Sequence, residues 1–296
     1  MTTADESGYR IRDTPFGLGR TLQLLGPWRP SLAGIMDAHD ARGLRMSDRA
    51  GWPPDDIDFV DKLSLNSIEI VADSTIDVGP IECQASLELL HLDCEISRRF
   101  DASSLPIAYA LISWPRKGID GVLESPSLEV ANITRYPGES LRPLASERLE
   151  RLDVTSRRLT SLSGIDRLRS LRHIDLLDCR ELETFNAVGD AESLEIFSID
   201  SNKHLTTVAP FATCARLKRL NLTNVPNLES VYPLVESRSI THLFLRGSTR
   251  VADGDLRCLL DMPQLEAVTF RNRRGYNVDY ASFRAELERR HGPTQF

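Results

Sequence analysis

Leu171-Arg-His-Ile174-Asp-Leu176-Leu-Asp-Cys179 and Leu194-Glu-Ile-Phe197-Ser-Ile199-Asp-Ser-Asn202 carry one frame twice, with apolar residues at the first, fourth and sixth positions and Cys or Asn at the ninth. The frame recurs at Leu149-x-x-Leu152-x-Val154, Leu217-x-x-Leu220-x-Leu222 and Ile240-x-x-Leu243-x-Leu245, about 22 residues apart. Looser copies precede these at Leu65-x-x-Ile68-x-Ile70, Leu87-x-x-Leu90-x-Leu92, Ile107-x-x-Ala110-x-Ile112 and Leu128-x-x-Ala131-x-Ile133, and one follows at Leu265-x-x-Val268-x-Phe270. Residues 65–270 thus hold about ten repeats. Leu22 and Leu44 extend the period, in degenerate form, toward the amino terminus.

Alternation of apolar and polar residues marks each frame as a short strand with one buried and one open face. After the strand the apolar residues step by three, as in Leu182, Phe185, Val188 and in Leu205, Val208, Phe211. That step suits a 3₁₀ turn or an extended segment better than an α-helix. The ninth-position Cys179 and Asn202 are expected to be buried in the bend after the strand, with Asn202 bonded to neighbouring main chain.

These residues resemble the leucine-rich repeat superfamily over nearly the whole chain, most specifically from 149 to 270. The spacing is similar to internalin-type repeats, and the stretches Arg246–Leu256 and Phe270–Tyr276 resemble uncharacterised bacterial cytoplasmic leucine-rich repeat proteins. The resemblance implies an α/β leucine-rich repeat solenoid, with a curved parallel sheet on the concave face, short 3₁₀ or extended segments on the convex face, and caps at both ends. It also implies recognition of another protein.

Residues 1–64 are expected to form the amino-terminal cap, with degenerate repeats and a helix near 32–41 that opens at Ser31 and stops before Gly43. Residues 271–296 are expected to close the stack with a helix through Tyr280, Phe283 and Leu287 that ends near Gly292-Pro293. A chain of 296 residues built this way reads as one elongated domain.

The net charge of −7 argues against nucleic-acid binding by bulk phosphate attraction, although Arg271, Arg273 and Arg274 form a local basic end. The start of the chain lacks a secretory pattern, and no apolar run has the length of a membrane span, so a cytoplasmic protein without membrane contact is expected. The five cysteines include no Cys-x-x-Cys pair and read as reduced thiols. No serine-hydrolase elbow, phosphate loop, zinc-protease helix or dinucleotide fingerprint is present, so the chain reads as a non-enzyme without cofactor or metal. His173 and His242 fall three strands apart, too far to share one ion.

Positions between the apolar ones face outward and group by chemistry. Leu89, Tyr109, Leu111 and Trp114 form an apolar set, and Asp153, Asp175, Asp178 and Asp200 an acidic stripe. Arg219, His242, Arg246 and Arg271 form a basic set. In-register carboxylates cost stability unless compensated, so the expected function is binding a partner protein on the concave face. Asp153, Asp175 and Asp200 would receive a basic segment, and Tyr109 and Trp114 an apolar group. An immunity or regulatory protein that sequesters a basic toxin or enzyme is one version of this reading. An enzyme, or an enzyme subunit with its site in the caps, is the alternative.

Overall fold

The structure is a computed structural model that describes residues 8–54 and 56–291. Its contacts cluster into two compact units, Met1–Thr134 and Arg135–Phe296.

The first unit opens with an antiparallel pair, β1 (Tyr9–Asp13) on β2 (Arg20–Leu24). From β2 onward the pairing is parallel and sequential, through β3 (Ala41–Ser47), β4 (Ser67–Ile76), β5 (Leu89–Ile96), β7 (Tyr109–Ser113) and β9 (Val130–Thr134). A two-stranded sheet, β6 (Phe100–Asp101) with β8 (Ile119–Asp120), lies between consecutive repeats. Leu22, Leu44, Ile68, Leu90, Ala110 and Ala131 stand in one register line, all buried. The parallel ladder therefore extends through Leu22 and Leu44, within the segment expected to hold the cap and its degenerate repeats. β1 covers the amino-terminal strand edge, which would otherwise expose a row of unpaired backbone groups.

Helix α1 spans Ser31–Ala38, shorter than the 32–41 expected. Its flanking residue is Pro30 and no side chain caps it, so Ser31 is the first helical residue rather than the cap. The helix ends because Asp40 adopts a left-handed conformation (φ 49°) and the chain turns at once into β3. Gly43 therefore belongs to a strand. A Cβ there would stand 2.2 Å from Thr21 Oγ1 and 2.4 Å from Ser67 Oγ, so only glycine fits between the neighbouring strands.

The second unit repeats one device six times: β10 (Arg151–Thr155), β11 (His173–Leu177), β12 (Ile196–Asp200), β13 (Arg219–Thr223), β14 (His242–Arg246) and β15 (Ala267–Thr269), paired in parallel without a register shift. Short 3₁₀ turns at Ile165–Arg167, Asn186–Asp190, Tyr232–Glu236 and Arg257–Asp261, and one helical turn, α2 (Ala209–Ala212), occupy the opposite side. The three-step series Leu182, Phe185, Val188 and its counterparts Leu205, Val208, Phe211 and Leu228, Val231, Leu234 are all buried. The closing helix α3 (Tyr280–His291) docks through Phe283 and Leu287, and Asp279 accepts bonds from the Ser282 amide and hydroxyl. The expected helix end at Gly292-Pro293 lies outside the described residues. No helix among the described residues is long and apolar enough to cross a membrane.

Four of the five cysteines, Cys94, Cys179, Cys214 and Cys258, are buried and free, and burial pushes each thiol up to about 12. Cys83 is exposed. A disulfide-exchange reagent at neutral pH will therefore label Cys83 alone in the native chain and all five thiols in denaturant. Rapid native labelling of a second thiol, read by intact mass, would contradict the packing described.

Candidate functional site

In the second unit, register decides which outward residues meet. Asp153 on β10 stands opposite Asp175 on β11, and that row continues through Ser198, Asn221 and Phe244. Asp200 lies one row over, opposite Leu177 and Thr223. The expected acidic stripe is therefore an in-register pair with a third carboxylate offset. Arg151 Nε donates to Asp153 Oδ2 at 2.9 Å. Asp200 Oδ1 accepts from Asn224 Nδ2 and Ser201 Oγ, both at 2.8 Å.

The Asp175 carboxylate makes no hydrogen bond or ion pair among the described residues, and burial together with the Asp153 charge raises it above the usual value. His173 faces the same side two residues earlier; burial and the Arg151 charge hold its imidazole below the ordinary histidine value. Asp178 departs from the stripe. It sits past the end of β11 in a left-handed conformation (φ 53°), paired with Arg180 and, at 3.9 Å, with Arg157.

The basic set is organised around a residue absent from the sequence expectation. Phe244 stands on the outward row of β14 yet is only 8% exposed, because Arg246 lies over its ring at 4.6 Å and Arg219 at 5.8 Å. His242, opposite Arg219 in register, completes the cluster 6.1 Å from the ring. Guanidiniums set against an aromatic ring gain cation–π attraction while keeping donors free for an anionic group. Arg271 lies beyond β15 and is exposed, apart from this cluster.

Tyr109 and Trp114 belong to the first unit. Tyr109 is not an open aromatic anchor: Phe16, from the turn between β1 and β2, stacks on it at 4.2 Å with the rings 5° apart. The Tyr109 hydroxyl donates to Glu129 Oε2 at 3.1 Å. The same turn is held down by Thr14 on Thr21 (2.7 Å) and by Asn66 Nδ2 on the Leu18 carbonyl (3.0 Å). Leu89, read as exposed from its frame position, is fully buried. Phe16 thus covers the Tyr109 part of the apolar set. Trp114 follows β7, half-buried, with its amide bonded to the Thr134 carbonyl.

On β4, Glu69 is held by Arg45 Nη1 at 2.8 Å and His91 Nδ1 at 3.2 Å, its side chain 6% exposed. Burial pushes its carboxyl up, but the His91 bond and the Arg45 charge outweigh burial and keep it below the usual carboxylate value.

The bends after β11, β12, β13 and β14 have a common construction. Asp178, Ser201, Asn224 and Gly247 all adopt positive φ, between 52° and 64°, a conformation that glycine and short polar residues tolerate best. The residue that follows the first two turns inward. Cys179 is buried, and Asn202 bridges repeats, donating to the Cys179 and Leu182 carbonyls at 2.9 Å and accepting from the His204 and Leu205 amides. Ser156 and Thr249 cap adjacent main chain in the same way. This is the leucine-rich repeat fold.

No family model and no curated protein matches the chain. Among solved structures, a leucine-rich repeat protein of Leptospira interrogans is similar, at 14% identity and a TM-score of 0.40, over 82% of this chain and 81% of that one.

Within this leucine-rich repeat frame, two features escaped the sequence reading. Phe244 had a signal: an aromatic at the fifth position, where the other frames of the second unit carry polar residues. The grouping of Asp153, His173 and Asp175 was equally readable from positions three and five of adjacent frames, once carboxylates are paired with the histidine rather than histidines with each other. Ligand atoms from these three residues lie within 4.8 Å of one another.

Proposed function

We propose that the open face of residues 135–296 is a protein-binding surface for a partner carrying a basic segment beside an acidic one. The basic segment would lie on Asp153, Asp175 and Asp200, and the acidic group on Arg219 and Arg246 over Phe244, with His242 and Arg271 at the margin. The observation that supports this most directly is Asp175 in register with Asp153 on one side of the sheet, with two arginines over the Phe244 ring two and three strands further on. Like charges side by side on a sheet are unfavourable in the free protein, and a cationic partner relieves that cost. Opposed charge patches also speed encounter and fix orientation.

The reading is non-enzymatic, and it leaves the apolar patch of the first unit out of the interface, because Phe16 already covers Tyr109. Sequestration of a basic toxin or enzyme is a specific form of the same reading.

The test is affinity capture from native lysate, in chelator, with the wild-type chain, an Asp175→Ala/Asp200→Ala variant and an Arg219→Glu/Arg246→Glu variant. Both variants should lose the specifically captured protein by about tenfold or more, with a salt dependence that the wild type shares. Capture of the same protein at equal yield by both variants would overturn the proposal.

A further inference from the structure

His173 and Asp175 alternate along β11, so both side chains leave the same face. The parallel register sets Asp153 of β10 directly opposite Asp175. One nitrogen or oxygen from each of the three lies within 4.8 Å of the others, and all three residues are half-buried. A second observation comes from Asp153. Arg151 takes its Oδ2 at 2.9 Å, while Oδ1 is buried and makes no hydrogen bond among the described residues. The side chain as a whole is 15% exposed. An ion pair that occupies one carboxylate oxygen and leaves the other dry and unpartnered is costly unless a ligand takes it. The Asp175 carboxylate, on the next strand, makes no hydrogen bond or ion pair among the described residues, and Arg151 reaches it only through its charge.

We propose that Asp153, His173 and Asp175 bind one divalent transition-metal ion of the zinc class, with a further coordination position directed to the open face. The donor set decides the class: imidazole favours zinc and its neighbours, whereas calcium and magnesium prefer oxygen-only surroundings. Three protein ligands with an open fourth position is a common zinc arrangement. Arg151 acts as the orienting neighbour, holding Asp153 by one oxygen so that the other points to the ion, as carboxylates around metal ligands are usually held. Tetrahedral zinc with bonds of about 2.1 Å places ligand atoms ~3.4 Å apart. The group therefore closes on the ion by side-chain rotation, with the strands in place. The ion and a partner's basic segment would compete for the same two in-register carboxylates, so metal loading and partner binding at this pair are alternatives.

The experiment uses the full chain with Cys83→Ser, because that exposed thiol competes for zinc. Metal-free protein is titrated with Zn²⁺ by calorimetry and with Co²⁺ by visible absorption. One equivalent of Zn²⁺ should bind per chain, and Asp175→Asn and His173→Gln should each weaken it by on the order of tenfold or more. Co²⁺ should give a d–d band without a thiolate charge-transfer band.

Asp175→Asn removes a like charge with no change of shape, so in chelator its melting temperature should equal or exceed that of the parent, and the parent alone should gain on adding Zn²⁺. Absence of Zn²⁺ uptake at micromolar concentration overturns the site. So does uptake unaffected by either variant, or displacement by equimolar Mg²⁺. Because partner capture is run in chelator, failure there and failure here are separate outcomes.

Discussion

Replacing Asn202 with Ala should lower the unfolding free energy of residues 135–296 by about 4 kcal/mol, read as a shift of the urea midpoint at unchanged slope. Asn202 is fully buried and satisfies two carbonyls of the preceding repeat and two amides of its own. Removing it strands groups that water cannot reach, at about 1–3 kcal/mol for each fully buried one. The His204 amide is only partly buried and recovers a water partner. Asp in the same place keeps both acceptor bonds but sets a charged oxygen against the Cys179 and Leu182 carbonyls, so Asn202→Asp should cost at least as much as Ala. A loss below about 1 kcal/mol for the Ala variant would show that the bend is not held by this side chain.

Phe197→Ala should cost about 3–5 kcal/mol. Phe197 is fully buried on β12, flanked in register by Ile174 and Leu220, and its ring tilts 55° against Phe211 at 4.7 Å. Truncation removes both the transfer energy and the aromatic contact, and the fixed strand spacing resists collapse of the cavity. Phe197→Leu should cost about 1.5 kcal/mol at most, since it conserves most of the volume. In a stack where each repeat leans on its neighbours, the loss also weakens both adjoining interfaces. Hydrogen exchange should therefore rise in β11, β12 and β13 together. A loss confined to β12 would contradict that coupling.

Much of this is legible in the sequence. The frame from Leu149 to Phe270 set which side chains are buried, and its fourth-position residues Leu152, Ile174, Phe197, Leu220, Leu243 and Val268 form one buried register line. The three-step series after each strand reported its 3₁₀ turns for the same reason, because both follow from local periodicity.

The amino-terminal hairpin was not readable. Its strand Tyr9–Asp13 is short and mostly polar, and Phe16 takes a left-handed conformation (φ 59°) that no local rule assigns to an aromatic residue. It is held instead by contacts with Tyr109, far along the chain. Leu89 was misplaced for the same reason: periodicity names the face a residue leaves from, and only tertiary structure says whether something lies on that face.

The sequence by itself therefore determined the repeat, the strand phase, the buried leucines and the short list of outward residues, because each of these depends on spacing within some 22 residues. Tertiary structure alone decided how that list is divided. Register turned a presumed stripe into the Asp153–Asp175 pair with His173 beside it, roofed Phe244 with two arginines, and closed the Tyr109 patch under Phe16. These outcomes depend on which residues of different repeats come within a few ångströms, and a distance set by pairing between strands is not encoded in the period of any one of them.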